Sequence, residues 1–239
     1  MYVEETDFEL QPSGEAEWAP VARAILSVTA RQPGSVSCRI LRSAKNPLSV
    51  LVIATWRDRG SADRARQSEE VRVVAQLLNK AKFYKGGTDQ RKEFELLDMV
   101  WGRESKRFGA PGTFVNHIAF YVKPDKYEQK WRPYARNFVS VMARQPGLVA
   151  EEIFRSLDDR YSGIALRTFV GRENSLVGPE FQPTEEIKLA TQPADDAQVY
   201  DRSRSSAASR YREDEVFEVT LGASALGDYD AFMDGLVPV

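Results

Sequence analysis

The sequence predicts an α+β protein built from two tandem ferredoxin-like repeats, each running β-α-β-β-α-β. Three observations carry this reading. The string ARQPG at Ala30–Gly34 returns at Ala143–Gly147, an offset of 113 residues, and 18 of the 45 positions from Trp18 to Ala62 match at that offset without a gap. In both copies an amphipathic stripe runs into Gln-Pro-Gly. In both, two strand-like stretches with a polar turn between them follow. Self-similarity at a fixed period marks one supersecondary unit used more than once. The 239 residues are then two such units and a tail. The boundaries expected are 1–105 for the first repeat, 113–222 for the second with an insert at 178–213, and 223–239 for the tail.

Each element follows from residue pattern. The opening strands are Glu5–Leu10 and Thr113–Lys123. Trp18, Val21, Ala22, Ile25, Val28 and Thr29 lie on one helical face, and Trp131, Tyr134, Ala135, Phe138, Val141 and Met142 repeat it. Proline cannot continue the helix, and glycine accepts the left-handed cap that ends it. Strands Ser35–Ser43 and Leu48–Arg57 flank a turn at Lys45-Asn46-Pro47. Leu148–Ser156 and Ser162–Val170 flank Asp158-Asp159. A second helix is expected over Ser61–Ala81, with Val71, Val74, Leu77, Leu78 and Ala81 on one face, and a closing strand over Lys92–Trp101. In the second repeat, Gly178–Glu213 carries several prolines and a Ser/Arg-rich run. A short helix and a loop are expected there before a last strand, Glu215–Leu221. Tyr229, Phe232, Met233 and Leu236 suggest a short packed helix in the tail.

Composition excludes several function classes. With 33 Lys plus Arg against 35 Asp plus Glu, the formal charge is −2, so no basic surplus points to nucleic acid. One cysteine, Cys38, cannot form an internal disulfide, which fits a reducing cytoplasm. One cysteine and one histidine, His117, cannot build a Cys/His zinc cluster. No G-x-S-x-G, G-x-G-x-x-G or P-loop motif occurs. The longest apolar runs, Val50–Ala54 and Ile118–Val122, are far short of a membrane span.

The pattern made by Pro33-Gly34, Thr55-Trp56 and Asp58-Arg59 in one copy, and by Pro146-Gly147 and Ser156-Leu157-Asp158-Asp159 in the other, resembles the antibiotic biosynthesis monooxygenase superfamily. Neither copy is complete: Ala44-Lys45-Asn46 replaces the acidic turn in the first, and Phe169 replaces the strand-three Trp in the second. The resemblance implies that the two repeats pair sheet against sheet as an intramolecular dimeric α/β barrel, with further homodimerisation open. The length and the diverged second half are compatible with the ring-opening oxygenases of angucycline pathways. That implies oxidation or ring cleavage of a polycyclic aromatic polyketide with O₂ and without metal. Reduced flavin (FMNH₂ or FADH₂) would serve as a diffusible co-substrate supplied by a flavin reductase. Two alternatives stand beside this: a non-catalytic binding or cyclase-like protein, and a haem enzyme of the chlorite dismutase type. Haem is disfavoured, because its relatives keep their histidine on a helix.

The candidate catalytic residues are His117, Asn116 and Trp56. Alternation in strand Thr113–Lys123 puts His117 on one face and Asn116, Ile118 and Phe120 on the other. His117 is either a half-buried histidine satisfied by a hydrogen bond or a base for a phenolic proton. Asn116, a polar residue among apolar neighbours, needs a partner if buried, and a substrate carbonyl would serve. Trp56 either packs the core or lies near the substrate, as the family position implies. Phe120, Tyr134, Phe138, Met142 and Phe169 are candidate substrate contacts, since the second repeat is the more aromatic on this helix face. Arg167 stands where the first copy has Ala54. It either holds a substrate oxygen anion or snorkels at a sheet edge. Tyr84, in the loop Phe83-Tyr84-Lys85-Gly86-Gly87, either closes over a ligand or belongs to a plain connector.

Overall fold

The computed structural model describes residues 1–78, 90–171, 184–201, 204 and 216–224. They divide into two compact units. Unit 1 is residues 1–93, 109–111 and 218–239, and unit 2 is 94–108 and 112–217.

Unit 1 contains β1 (Tyr2–Glu9), α1 (Glu15–Arg31), β2 (Ser35–Ser43), β3 (Ser49–Trp56), α2 (Arg59–Gln67) and α3 (Glu69–Leu78). β3 lies between β1 and β2, antiparallel to both. α1 and α3 pack on one sheet face around Phe8, Trp18, Ile25, Ile40 and Val74, and the Phe8 and Trp18 rings meet edge to face at 5.4 Å. Gly34 ends the α1 turn at φ +83°, and a Cβ there would sit 2.3 Å from Ser61 Oγ. Both constraints demand glycine. Asn46 Oδ1 accepts from Leu48 N–H at 3.2 Å and closes the β2–β3 turn.

The expected second helix is two helices. Ser68 leaves helical geometry with ψ 143°, and its Oγ accepts from Val71 N–H at 3.3 Å. The hydroxyl competes with the helical ladder and restarts the chain as α3. Asp58 caps α2 by accepting from Ser61 N–H at 2.7 Å.

Unit 2 contains residues 94–101 of β4 (Gln90–Trp101), β5 (Phe114–Tyr121), α4 (Arg132–Met142), β6 (Leu148–Ser156), β7 (Ser162–Phe169) and α5 (Glu185–Asp196). A π-helical turn, Tyr127–Trp131, leads into α4. The strand order is β5-β7-β6-β4, all antiparallel. Gly147 at φ +72° repeats the role of Gly34. Asp159 Oδ1 accepts from Tyr161 N–H at 3.0 Å, as Asn46 does for Leu48 in the first copy. α5 supplies the helix expected within 178–213, capped by Thr184, whose Oγ1 accepts from Ile187 N–H at 3.3 Å. The expected tail helix lies outside the described residues.

Two features differ from the sequence reading. The strand expected to close the first repeat, β4, pairs with β6 and contributes residues 94–101 to unit 2. The last strand, β8 (Val216–Ser224), contributes residues 218–224 to unit 1, next to β2. Each unit therefore takes its outer strand from the other repeat, and the edges of β2 and β6 are covered. Second, the offset of 113 does not hold in the first strand. There it sets His117 against Glu4. The ladders set Glu4 against Ala54 and Asn116 against Arg167, which is the counterpart of Ala54. Asn116 is the true equivalent of Glu4, and His117 that of Glu5. One residue more separates β5 from its helix than separates β1 from α1, and in a strand one residue reverses the face.

Candidate active site

The chemistry of unit 2 gathers on the sheet face under α4. Residues paired across antiparallel strands point to the same side. Arg167 on β7 pairs with Asn116 on β5 and Glu151 on β6, so amide, guanidinium and carboxylate form one row across three strands. The next row holds Ile118, Ala165 and Ile153. Above them, α4 and the turn before it present Trp131, Tyr134, Ala135 and Phe138, and Tyr200 comes from the segment after α5. All of these but Asn116, together with Phe120, enclose a cavity of about 40 Å³, and Asn116 stands next to Arg167 in the row. Gly163 makes room for the Phe120 ring at its side, since a Cβ there would lie 2.5 Å from Phe120 Cζ.

The polar groups are few and deeply placed. Arg167 Nε donates to Glu151 Oε1 at 3.0 Å, and its guanidinium lies 4.7 Å from the Phe138 ring centroid. Arg167 therefore sits on an interior strand, not at an edge. The Glu151 side chain is 1% exposed, and its Oε2 has no hydrogen-bond partner among the described residues. Burial raises the Glu151 carboxyl above its ordinary range, and Arg167 pulls against that shift. Asn116 is 1% exposed, and neither its Oδ1 nor its Nδ2 has a partner among the described residues. Buried polar atoms are nearly always satisfied in native proteins, so these orphans point to a ligand's polar groups. Trp131 Nε1 donates to Tyr200 Oη at 3.2 Å, and Tyr134 and Tyr200 hydrogen-bond to each other. Burial pushes both tyrosine hydroxyls upward and keeps them protonated.

The structure brings together Phe120, Tyr134, Phe138 and Arg167 from the sequence candidates around the cavity, and sets Asn116 beside Arg167 in the same row. It separates the others from them. His117 takes the opposite sheet face, paired with Leu166, and does not line the cavity. Met142 and Phe169 are fully buried in the packing of α4 against α5, with Phe138, Leu148 and Ile187. Trp56 belongs to the core of unit 1 with Tyr2, Ala54 and Ala62, and its Nε1 donates to Glu4 Oε2 at 3.0 Å. Tyr84 lies outside the described residues. Sequence reasoning missed Glu151 and Tyr200. Glu151 stands where the first copy has Cys38, so the comparison that singled out Arg167 could have found it. Tyr200 carried no such signal, since it lies beyond the matched stretch.

Residues 1–77 match the family model described as antibiotic biosynthesis monooxygenase. The match lies within the first of the two repeats and not the second. Three solved structures share the fold over nearly the whole chain. A candidate monooxygenase from Fusobacterium nucleatum has a TM-score of 0.70 at 10% identity, covering 92% of this chain and 91% of that one. A candidate monooxygenase from Lactobacillus acidophilus gives 0.68 at 10% identity, covering 93% and 95%. An anthrone oxidase-like protein gives 0.61 at 14% identity, covering 94% and 93%. At such identities the likeness is one of fold. No curated protein matches the chain. Among the described residues, no helix is long and apolar enough to cross a membrane.

Proposed function

We propose that the chain is an oxygenase that uses O₂ to oxidise a small polycyclic phenol, of the kind found in aromatic polyketides, in the cavity of unit 2. The observation that carries this is the buried Asn116–Arg167–Glu151 row, with its unpartnered amide and carboxylate oxygen, under a wall of aromatic rings. A phenol offers what the row lacks. Its hydroxyl donates to Glu151 Oε2, and a carbonyl at the other end of the ring system accepts from Asn116 Nδ2. Glu151 takes the phenolic proton, since burial makes it a stronger base than a solvated carboxylate. Arg167 stabilises the resulting oxyanion. The electron-rich anion passes one electron to O₂, and phenoxyl radical and superoxide combine at ring carbon. Loss of water then leaves a quinone. One O₂ is consumed, one oxygen atom enters the product and the other leaves as water.

A cavity of about 40 Å³ is below the ~300 Å³ or more of typical ligand sites, so the site must widen as substrate enters. Reduced flavin fits the site poorly. Its phosphate needs a cation of its own, and among the described residues the cavity lining holds Arg167 alone, which the phenolate uses. Haem fits poorly too, because His117 is on the other face.

Oxygen uptake by the purified protein with a panel of anthrone-type and hydroxylated polycyclic phenols, with and without reduced flavin, tests this reading. Uptake without flavin and a quinone carrying one atom from labelled O₂ are expected. Saturable binding with no uptake in either condition would replace the oxygenase by a binding protein.

A further inference from the structure

The aromatic side chains of unit 2 continue past the cavity. Tyr134 and Tyr200 line it with their rings 6.4 Å apart, and Trp131 Nε1 meets Tyr200 Oη at 3.2 Å. On the far side of Trp131 the Tyr127 ring stacks on the indole, 5.0 Å between centroids at 23°. The π-helical turn makes this contact, since it holds Tyr127 and Trp131 in one widened turn. Tyr161 meets Tyr127 edge to face at 5.7 Å and is half-buried. Exposed Arg160 lies over both Tyr127 and Tyr161, at 5.7 and 5.4 Å. Tyr and Trp are the side chains that lose an electron most readily among those without sulfur. Here five of them run ring to ring from the cavity wall to the surface.

We propose that this chain is an electron relay, which carries reducing equivalents from the surface at Tyr161 through Tyr127 and Trp131 to the Tyr200–Tyr134 pair. Its purpose rests on the oxygenase reading: it quenches a phenoxyl radical stranded in the cavity when a turnover fails. The stranded radical takes one electron and the phenolic proton of the tyrosine pair and becomes phenol. The tyrosyl radical so formed is refilled by an electron passed inward from Trp131, then Tyr127, then Tyr161. An external one-electron reductant such as ascorbate gives the last electron and the compensating proton. In sum, phenoxyl radical plus ascorbate gives phenol plus ascorbyl radical.

The test needs neither substrate nor turnover, so its failure is distinct from failure of the oxygenase reading. Tyrosyl and indolyl radicals are generated in the whole protein by pulsed azide radical, and their decay with added ascorbate is followed optically. Tyr127→Phe keeps the ring and removes the easily oxidised hydroxyl. It should slow reduction of the buried radicals at least about tenfold, equivalent to an added barrier of about 1.4 kcal/mol. Tyr127→Trp restores an oxidisable ring and should restore the rate. Tyr121→Phe, off the path, should behave as native. A folded Tyr127→Phe protein, judged by near-ultraviolet circular dichroism, that is reduced at the native rate overturns the relay. Should Tyr127→Phe not fold, Tyr161→Phe carries the same test at the surface end, where a native rate again overturns it.

Discussion

The same row of the sheet is chemically different in the two units. In unit 1 it reads Glu4, Ala54, Cys38, and in unit 2 Asn116, Arg167, Glu151. Glu4 is satisfied locally. Trp56 Nε1 donates to one oxygen, and Arg66 of α2 pairs with the other. Burial raises its carboxyl, and the arginines hold it down. The rest of that row is a methyl group and a neutral thiol. In unit 2 the arginine is on the strand itself, and it reaches one carboxylate oxygen while the other stays bare. A duplicated scaffold can thus close one copy with internal partners and leave the other needing a ligand. Within this row, bare polar atoms set unit 2 apart from unit 1.

Arg167→Ala breaks the contrast most severely. It strands Glu151 as a buried charge, and stability measured by urea unfolding should fall by about 3–5 kcal/mol, with turnover lost. Arg167→Met combined with Glu151→Leu should recover most of the stability and none of the turnover. A double variant as unstable as Arg167→Ala would show that the pair is needed for folding itself. Asn116→Ala is the sharper probe. Turnover should drop about a hundredfold, as for loss of one donor to an oxyanion. Stability should change by less than about 1 kcal/mol, because no hydrogen bond is broken. A large loss of stability would mean that Asn116 has a partner in the protein.

The unit 1 row makes its own prediction through pH. Burial pushes the Cys38 thiol up to about 12 from an ordinary 9.0. The folded state therefore holds this proton more tightly than the unfolded chain. Its stabilising effect is full below pH 9 and is lost as pH rises toward 12, at up to about 1.4 kcal/mol per pH unit. The unfolding midpoint should fall over that range, and Cys38→Ala should flatten the fall. The smallest effect is expected for His117→Ala, which should leave turnover at the native level in an oxygen-uptake assay. Loss of turnover there would move the base to the other face of the sheet.

Much of this was legible in residue pattern. Pro33-Gly34 and Pro146-Gly147 announce the helix ends, because only glycine takes the positive φ found at Gly34 and Gly147. The split of Asn116 from His117 follows from alternation alone. Arg167 stood out as a charge where the first copy has alanine. Other features were not legible. Ser68 breaks a helix whose apolar spacing runs on through it, since a local hydroxyl outweighs a weak propensity. The extra residue before α4 is invisible when helices are aligned, yet it decides which residue of β5 lies on the Arg167 side of the sheet.

The sequence by itself determined the repeated unit, the order of its elements and the faces of its strands, because these rest on periodicity and on the fixed geometry of proline and glycine. The tertiary structure decided which unit each closing strand joins, that Trp56 packs in the core of unit 1, that His117 takes the sheet face opposite the Arg167 row, and that Tyr200 meets Tyr134 and Trp131. Those outcomes depend on contacts between residues far apart in the chain, and no local spacing encodes them.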